Sequence, residues 1–472
     1  MTNGVRRSTF RERYNILLKE LRHKIESGEY APGEYIPAEN ELAQSFQLSR
    51  PSVRKALSEL SEEGLIRTFR GKGSVVLETD QSLTVLNLFW GMPAFEYEAV
   101  SRLVDQFNKT NKKIRVDLIQ VPRNAVLSKE GAAGGKIKPD LVGLGNSQFL
   151  QAEEIGIDEL FQPLDLRPDD FFDAYVRAFS YGGRMYAAPL GFAPIVLLYN
   201  KTMFDEAGLD YPGEDWTWNE LLKTAKALTR YDGLQAERYG FSFAANFNRW
   251  PLFVLQNGGR FTRCGSFQFD DSRLREALQF SYELIYKHKV SPIVSIGNQK
   301  TGEELFLRQK VGMILTSYIF LEQFGDIDFE WGFARFPGRV RNAGLGIAAG
   351  IAISAECRKV EAAKTFIQYM TSQSSQAFFK QNVCYIPARR SIASSRKYPA
   401  HPLADRNYYA FEAITEQALT LIDFGLTYSQ LEELETELNL LWANVESVDD
   451  VMEALKRRWK KSNACEALPS LD

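Results

Sequence analysis

The chain has 472 residues, of which 44% are hydrophobic and 25% charged, with a formal net charge of −3. That is ordinary for a soluble globular protein with a large core, and at about 150 residues per domain it suggests about three compact units. Cys264, Cys357, Cys384 and Cys465 form no C-x-x-C pair, which argues against a zinc site or a disulfide framework. The opening MTNGVRRSTFRERYN lacks the apolar core of a secretory signal, and no apolar run is long enough to span a bilayer. A cytoplasmic protein with no membrane partner is therefore expected.

In chain order, Tyr14, Leu17, Leu18, Leu21 and Ile25 fall on one face of a helix over 11–27, with Gly28 as its stop. A Pro-Gly turn precedes a short helix opening near Pro37-Ala38-Glu39 and burying Leu42, Ala43 and Phe46. Ser49 is a natural N-cap for the next helix, and Pro51 is tolerated in its first turn. Val53, Ala56, Leu57 and Leu60 face inward there, leaving Arg50, Ser52, Arg54 and Lys55 outside; no acid intervenes before Glu59. Gly64 closes that helix. Ile66–Phe69 and Ser74–Leu77, joined by Arg70-Gly71-Lys72-Gly73, read as a hairpin. Helix, helix, tight turn, helix, hairpin is a winged helix-turn-helix, whose second paired helix enters the major groove.

These residues resemble the DNA-binding domain of GntR-type bacterial regulators over about 65 residues, through the pattern G-x-x-x-P-G-x-x-I-P-A-E-N-E-L-A, then LSRPSVRKAL and EGLIRTFRGKGSVV. The resemblance implies double-stranded operator DNA as a partner. It places contacts at Asn40, Ser49, Arg50, Pro51, Ser52, Arg54, Arg70, Gly71 and Lys72. Arg50, Arg54 and Gly71 match the family's contact positions. Asn40 stands where arginine is frequent, and Pro51 where threonine is frequent. Arginine can pair bidentately with guanine or a phosphate, and a helix N-terminus favours phosphate. Arg70 and Lys72 at the wing tip suit minor-groove phosphates.

Residues 80–83 form a polar junction, so the DNA-binding domain is placed at 1–80 and a second region at 84–465. Beyond the junction, apolar extended runs alternate with helical ones. Strands are expected at Leu83–Trp90, Ile114–Val121, within GKIKPDLVGLGNS, and once or twice in GRMYAAPLGFAPIVLLYNK; helices are expected at Glu96–Asn108 and near 217–229 and 272–289. The alternation argues an α/β domain with parallel sheets. KPDLV, FQPLD, YGGRMYAAP, LLYNKTMFDEAGL, DWTWNELLKTAKALT, LQNGGRF, GFARFPG and AAKTFIQYMTS resemble, in order, the family 1 extracellular solute-binding proteins, the maltose-binding-protein-like group. The resemblance implies a periplasmic-binding-protein-like domain of type II, with two α/β lobes. Their crossings are expected near 188–195, 334–340 and 372–380, and a small solute, commonly a sugar, sits in the cleft.

Sugars present apolar C–H faces to aromatic rings and hydroxyls to a few polar groups. The candidates are Trp90, Glu96, Asn146, Phe192, Trp250, Tyr318 and Tyr385, although with 7 Trp, 20 Tyr and 32 Phe most rings must belong to the core. Trp216 and Trp218 read as helix-entry packing. His23, His288 and His401 have no metal spacing, and there is no H-E-x-x-H or G-x-S-x-G. Gly344–Ala349 fits G-x-G-x-x-A but precedes a strand, so no dinucleotide site, metal, cofactor or catalytic residue is expected. The reading is a ligand-responsive transcriptional regulator, a homodimer on its operator. The alternatives are a winged helix fused to an aminotransferase-like enzyme and a transport-associated solute-binding protein. The identity of the effector, the operator sequence and the direction of regulation stay open.

Overall fold

The computed structural model describes residues 10–463 apart from 27–28, 70–71, 78–82, 93, 128–136, 167–168, 234, 264–265, 293–300, 326, 405–406 and 416–417. By its internal contacts the chain divides into two compact units, Met1–Val85 with Asn108–Val116, and Leu86–Phe107 with Asp117–Asp472.

The first unit carries α1 (Phe10–Glu26), α2 (Glu39–Ser45) and α3 (Arg50–Glu62), then an antiparallel hairpin of β1 (Ile66–Phe69) and β2 (Gly73–Val76). The apolar faces anticipated from spacing meet in one core: Leu17, Leu21, Leu42, Val53, Ala56, Leu57 and Leu60 are all buried. The tight turn between α2 and α3 is made by Gln47 at φ 52°. It lets the Leu48 amide reach the Ala43 carbonyl at 3.0 Å. The Ser49 hydroxyl accepts from the Ser52 amide at 3.3 Å, which satisfies one of the unpaired donors at the start of α3. Helix-turn-helix plus wing is thus the architecture of this unit.

The second unit is built on an 11-stranded sheet. Along its main path the strands run 230–232, 235–243, 311–317, 187–200, 346–354, 141–145, 84–90 and 114–120. Those used below are β3 (Thr84–Trp90), β4 (Ile114–Gln120) and β5 (Leu141–Gly145), with helices α4 (Ala94–Thr110) and α5 (Asn146–Leu160) between and after them. β3 and β5 are parallel, as are 235–243 and 311–317. The sheet is nonetheless mixed, which corrects the expectation of parallel sheets. The reason is the strand Ala187–Asn200, which runs antiparallel to each neighbour: to 346–354 over its first half and to 311–317 and 331–334 over its second. All of its residues are buried, so it reads in sequence as a continuous apolar run with no alternation to reveal its direction.

Helices at Trp218–Leu228 and Ser272–Tyr286 pack in the larger core of this unit. The first opens with a reciprocal cap between Thr217 and Glu220. The second stops before the expected 289 because Lys289 turns to φ 53°. Trp218 stacks on Phe280 with centroids 4.4 Å apart, and Trp216 lies over Phe204, so both indoles are packing groups. Among the described residues no helix is long and apolar enough to cross a membrane, and no group of His, Cys, Asp and Glu could hold a metal ion. Cys357 and Cys384 are buried free thiols; Cys264 and Cys465 lie outside the described residues.

Candidate ligand cleft and nucleic-acid interface

In the first unit Asn40, Ser49, Arg50, Pro51, Arg54 and Lys72 are exposed and Ser52 is half-buried; Arg70 and Gly71 lie outside the described residues. α3 therefore presents its basic residues from a capped N-terminus, the arrangement that suits phosphate. Arg54 is not idle. Its Nε and one terminal nitrogen reach the two Glu39 oxygens at 3.2 and 2.9 Å, joining α3 to the first turn of α2. The hydrogen bond from Arg54 holds the Glu39 carboxyl below its ordinary range.

In the second unit the candidates cluster where strands end. Trp90 closes β3, and its ring lies on the neighbouring strand at Gly143; a Cβ there would sit 2.0 Å from the indole, so only glycine admits this packing. Asn146 starts α5 directly after β5. Gln148 turns back to accept from the Gly145 amide at 2.8 Å, which leaves its own amide nitrogen without a partner. Glu96 lies in the first turn of α4 and is 2% exposed. The Tyr385 hydroxyl donates to one Glu96 oxygen, and the other has no partner. Burial pushes the Glu96 carboxyl up to about 8, against the opposing pull of the Tyr385 hydrogen bond and the Arg123 charge. Arg123 itself donates to the Ser147 hydroxyl at 2.6 Å. Glu322 adds a second half-buried carboxyl, raised by burial and accepting from the Cys384 amide at 3.0 Å.

The other half of the sheet supplies a second set. Strand 235–243 runs out into a loop that carries Phe247, Arg249 and Trp250, with Phe247 and Trp250 at 5.9 Å between centroids. Arg249 is buried beside Glu303 at 3.8 Å, Glu303 also accepts from the Thr316 hydroxyl at 2.6 Å, and the guanidinium lies over the half-buried Phe320 ring. Strand 311–317 ends at Ser317. Seven buried polar atoms without a partner now stand at or just beyond the carboxyl ends of four strands. They are Trp90 Nε1, Glu96 Oε2, Asn146 Nδ2, Gln148 Nε2, Arg249 Nε, Trp250 Nε1 and Ser317 Oγ. Buried polar atoms are ordinarily paired. In open α/β sheets the carboxyl ends of the strands are where ligands sit.

Residues 96–377 match the family model described as bacterial extracellular solute-binding protein, and residues 13–76 match bacterial regulatory proteins of the gntR family. The chain belongs to the bacterial extracellular solute-binding protein family. Its N-terminal unit is a gntR-family winged helix, so the protein is a fusion of a regulator's DNA-binding domain with a solute-binding domain. An arabinooligosaccharide-binding protein of Halalkalibacterium halodurans is 26% identical over 267 residues, 53% of this chain and 57% of that protein. A probable fructoselysine utilization operon transcriptional repressor of Escherichia coli is 29% identical over 167 residues, 35% of this chain and 63% of the repressor. The chain thus spans about three fifths of these two relatives. A Listeria monocytogenes ABC substrate-binding protein in complex with cycloalternan superposes with a TM-score of 0.69 at 23% identity, covering 81% of this chain and 99% of the other.

Within the solute-binding domain the sequence candidates divide. Glu96 and Tyr385 touch, and Trp90, Asn146 and Trp250 each offer an unpaired polar atom at a strand end. All seven candidates are buried, but no unpaired polar atom marks Phe192 or Tyr318. The Phe192 ring lies on Gly346 and against Tyr175, while Tyr318 packs on Phe333 and Phe411 and donates to the Ala404 carbonyl at 3.2 Å. The residues that adjoin these candidates and were not singled out from the sequence are Arg123, Gln148, Phe247, Arg249, Ser317, Phe320 and Glu322. The signal for two of them was adjacency: Phe247 and Arg249 flank the chosen Trp250, and Phe320 lies two residues after the chosen Tyr318. Neither family matched is an enzymatic one.

Proposed function

We propose that this protein is a cytoplasmic, homodimeric transcriptional regulator that binds operator DNA through α3 and the wing and senses a carbohydrate in the cleft of its solute-binding domain. The observation that carries the reading is the set of seven unpaired buried polar atoms, mixing donors and acceptors, among aromatic rings. A sugar offers both halves of that surface: hydroxyls that donate and accept, and apolar faces for Phe247, Trp250 and Phe320. The sugar-binding proteins among the relatives support the same class. Ligand that binds one arrangement of the lobes more tightly shifts the population toward it. Coupling to DNA then follows from a difference in operator affinity between the two arrangements.

The test is a thermal-shift screen of the full chain against mono- and oligosaccharides, followed by gel shifts on duplexes selected from a random pool, with and without the hit. A saturating ligand stabilises by RT ln(1 + [L]/Kd), about 2.7 kcal/mol at a hundredfold excess over Kd. A sugar that stabilises the protein and also changes operator affinity is the expected result. Stabilisation with unchanged operator affinity would remove the regulatory half of the proposal, and failure of all sugars would remove the effector class.

A further inference from the structure

A second concave site lies away from the cleft, between the end of the helix Pro251–Gln256, the start of the helix Ser272–Tyr286 and the turn at 338–342. It is an open groove of about 560 Å³ to which Arg260, Arg273 and Arg341 all contribute. Three guanidinium groups in one groove repel one another, and Arg341 feels both of the others. Such a cluster normally carries its own carboxylates. Here the two acids of the groove are committed elsewhere. Asp271 caps its helix, accepting from the Arg273 and Leu274 amides at 2.8 and 3.0 Å. Asp270 pairs with Lys456 at 3.2 Å. Two neighbouring arginines are neutralised, Arg339 by Glu276 and Arg275 by Asp449. Among the described residues, Arg260, Arg273 and Arg341 form no ion pair.

Two of the three are also positioned. The Arg341 Nε donates to the Leu255 carbonyl at 2.8 Å, and an Arg273 terminal nitrogen reaches the Gly258 carbonyl at 3.5 Å. Each tether uses one donor of a five-donor fork and leaves the rest for a ligand. A single carboxylate fills one such fork. A phosphate monoester, with three terminal oxygens and close to two negative charges, matches three forks at once. The remaining volume accommodates the body of a small molecule.

We infer that this groove binds a phosphate monoester or inorganic phosphate through Arg260, Arg273 and Arg341, as a site separate from the cleft. It gives the protein a second small-molecule input that is independent of the carbohydrate reading.

Isothermal titration of the full chain with inorganic phosphate and with glucose 6-phosphate tests this, with acetate and chloride as controls at matched ionic strength. Saturable binding of either phosphate, weakened at least tenfold in Arg273→Ala and in Arg341→Ala but kept in Arg339→Ala, is expected. The tighter of the two probes says whether the free ion or an organic phosphate is the natural occupant. Arg260→Ala, which removes no described backbone hydrogen bond, gives the same answer if either tethered variant melts early. The inference fails if neither phosphate binds saturably, or if binding survives in all three groove variants. It also fails if acetate competes as well as phosphate, or if a short DNA duplex proves the better ligand of the groove.

Discussion

The Tyr385 hydroxyl and the Glu96 carboxyl, 289 residues apart in sequence, share a hydrogen bond in full burial. The bond ties the first turn of α4 to the segment that follows the helix Gln373–Asn382. It keeps one carboxyl oxygen on protein and leaves the other unpaired. Because burial raises the Glu96 pKa to about 8, the folded protein holds a proton there that the unfolded chain releases near 4.5.

The sign of the pH effect follows. Between about pH 4.5 and 8 the folded state binds more protons than the unfolded one, so the contribution of Glu96 to stability falls as pH rises through that window and levels off above it. Glu153 and Glu435, each raised by burial to about 7, act in the same direction. Melting temperatures from pH 5 to 8.5 should therefore decline more steeply for the native chain than for Glu96→Gln. Parallel slopes for the two proteins would show that Glu96 does not titrate in this range.

On the DNA side, Arg54→Ala should weaken operator binding by roughly 1–3 kcal/mol. The pairing with Glu39 adds a second expectation. Glu39 competes with phosphate for the same guanidinium, so Glu39→Gln should strengthen binding to duplexes of any sequence, most visibly at low salt. Lys72→Ala should weaken all duplexes alike and lower the salt slope by about one unit. Gel shifts at three salt concentrations separate the three behaviours. An unaltered affinity in Arg54→Ala would take α3 off the DNA.

Trp250 and Tyr318 should part company under substitution. Tyr318 and Trp250 are equally enclosed, at 0% and 1% exposure, so either alanine change should cost about 3–5 kcal/mol of stability, and the difference between them should lie in ligand affinity. Any ligand the folded Tyr318→Ala variant still takes should bind with near-native affinity. Trp250→Ala and Phe320→Ala should raise the sugar Kd tenfold or more, at about 1.4 kcal/mol per decade. Titration and ligand-free melting on the same variants decide the matter, and a tenfold loss of affinity in Tyr318→Ala would return that ring to the cleft.

Arg249 and Glu303 form a buried ion pair, and burial lowers the Arg249 pKa. Removing one partner of a buried pair strands the other, so Glu303→Gln should destabilise by about 3 kcal/mol or more. The double change Arg249→Met with Glu303→Leu should recover much of that loss while abolishing sugar binding, because Arg249 Nε is one of the unpaired donors. Denaturant midpoints and ligand titration on both variants give the comparison.

What the sequence disclosed follows from which interactions are local. The Ser49 cap, the inward face of α3 and the wing are written in spacings of three, four and two, and they appear at those positions. The two-domain architecture was legible because both segments carry ordered motifs. The direction of the 187–200 strand was not, since an unbroken apolar run looks the same in either orientation. Nor were the partnerships of Arg249 with Glu303 or Arg54 with Glu39, which depend on where distant elements meet. Phe247 and Phe320 went unchosen because nothing local marks a ring that packs beside Trp250 or under the Arg249 guanidinium.

The strand Ala187–Asn200 changes neighbours between Pro194, opposite Gly346, and Ile195, opposite Ser317. On either side of that step its register is fixed by a ladder of its own, so the two halves of the domain cannot slide past each other along it. Relative motion would instead be a rotation about the changeover, where the Ile195 amide still donates to the Leu345 carbonyl at 2.8 Å and so keeps the two ladders joined at one point. A signal from the cleft would therefore leave this domain as an angle rather than a displacement, and its size at any point would grow with distance from Pro194.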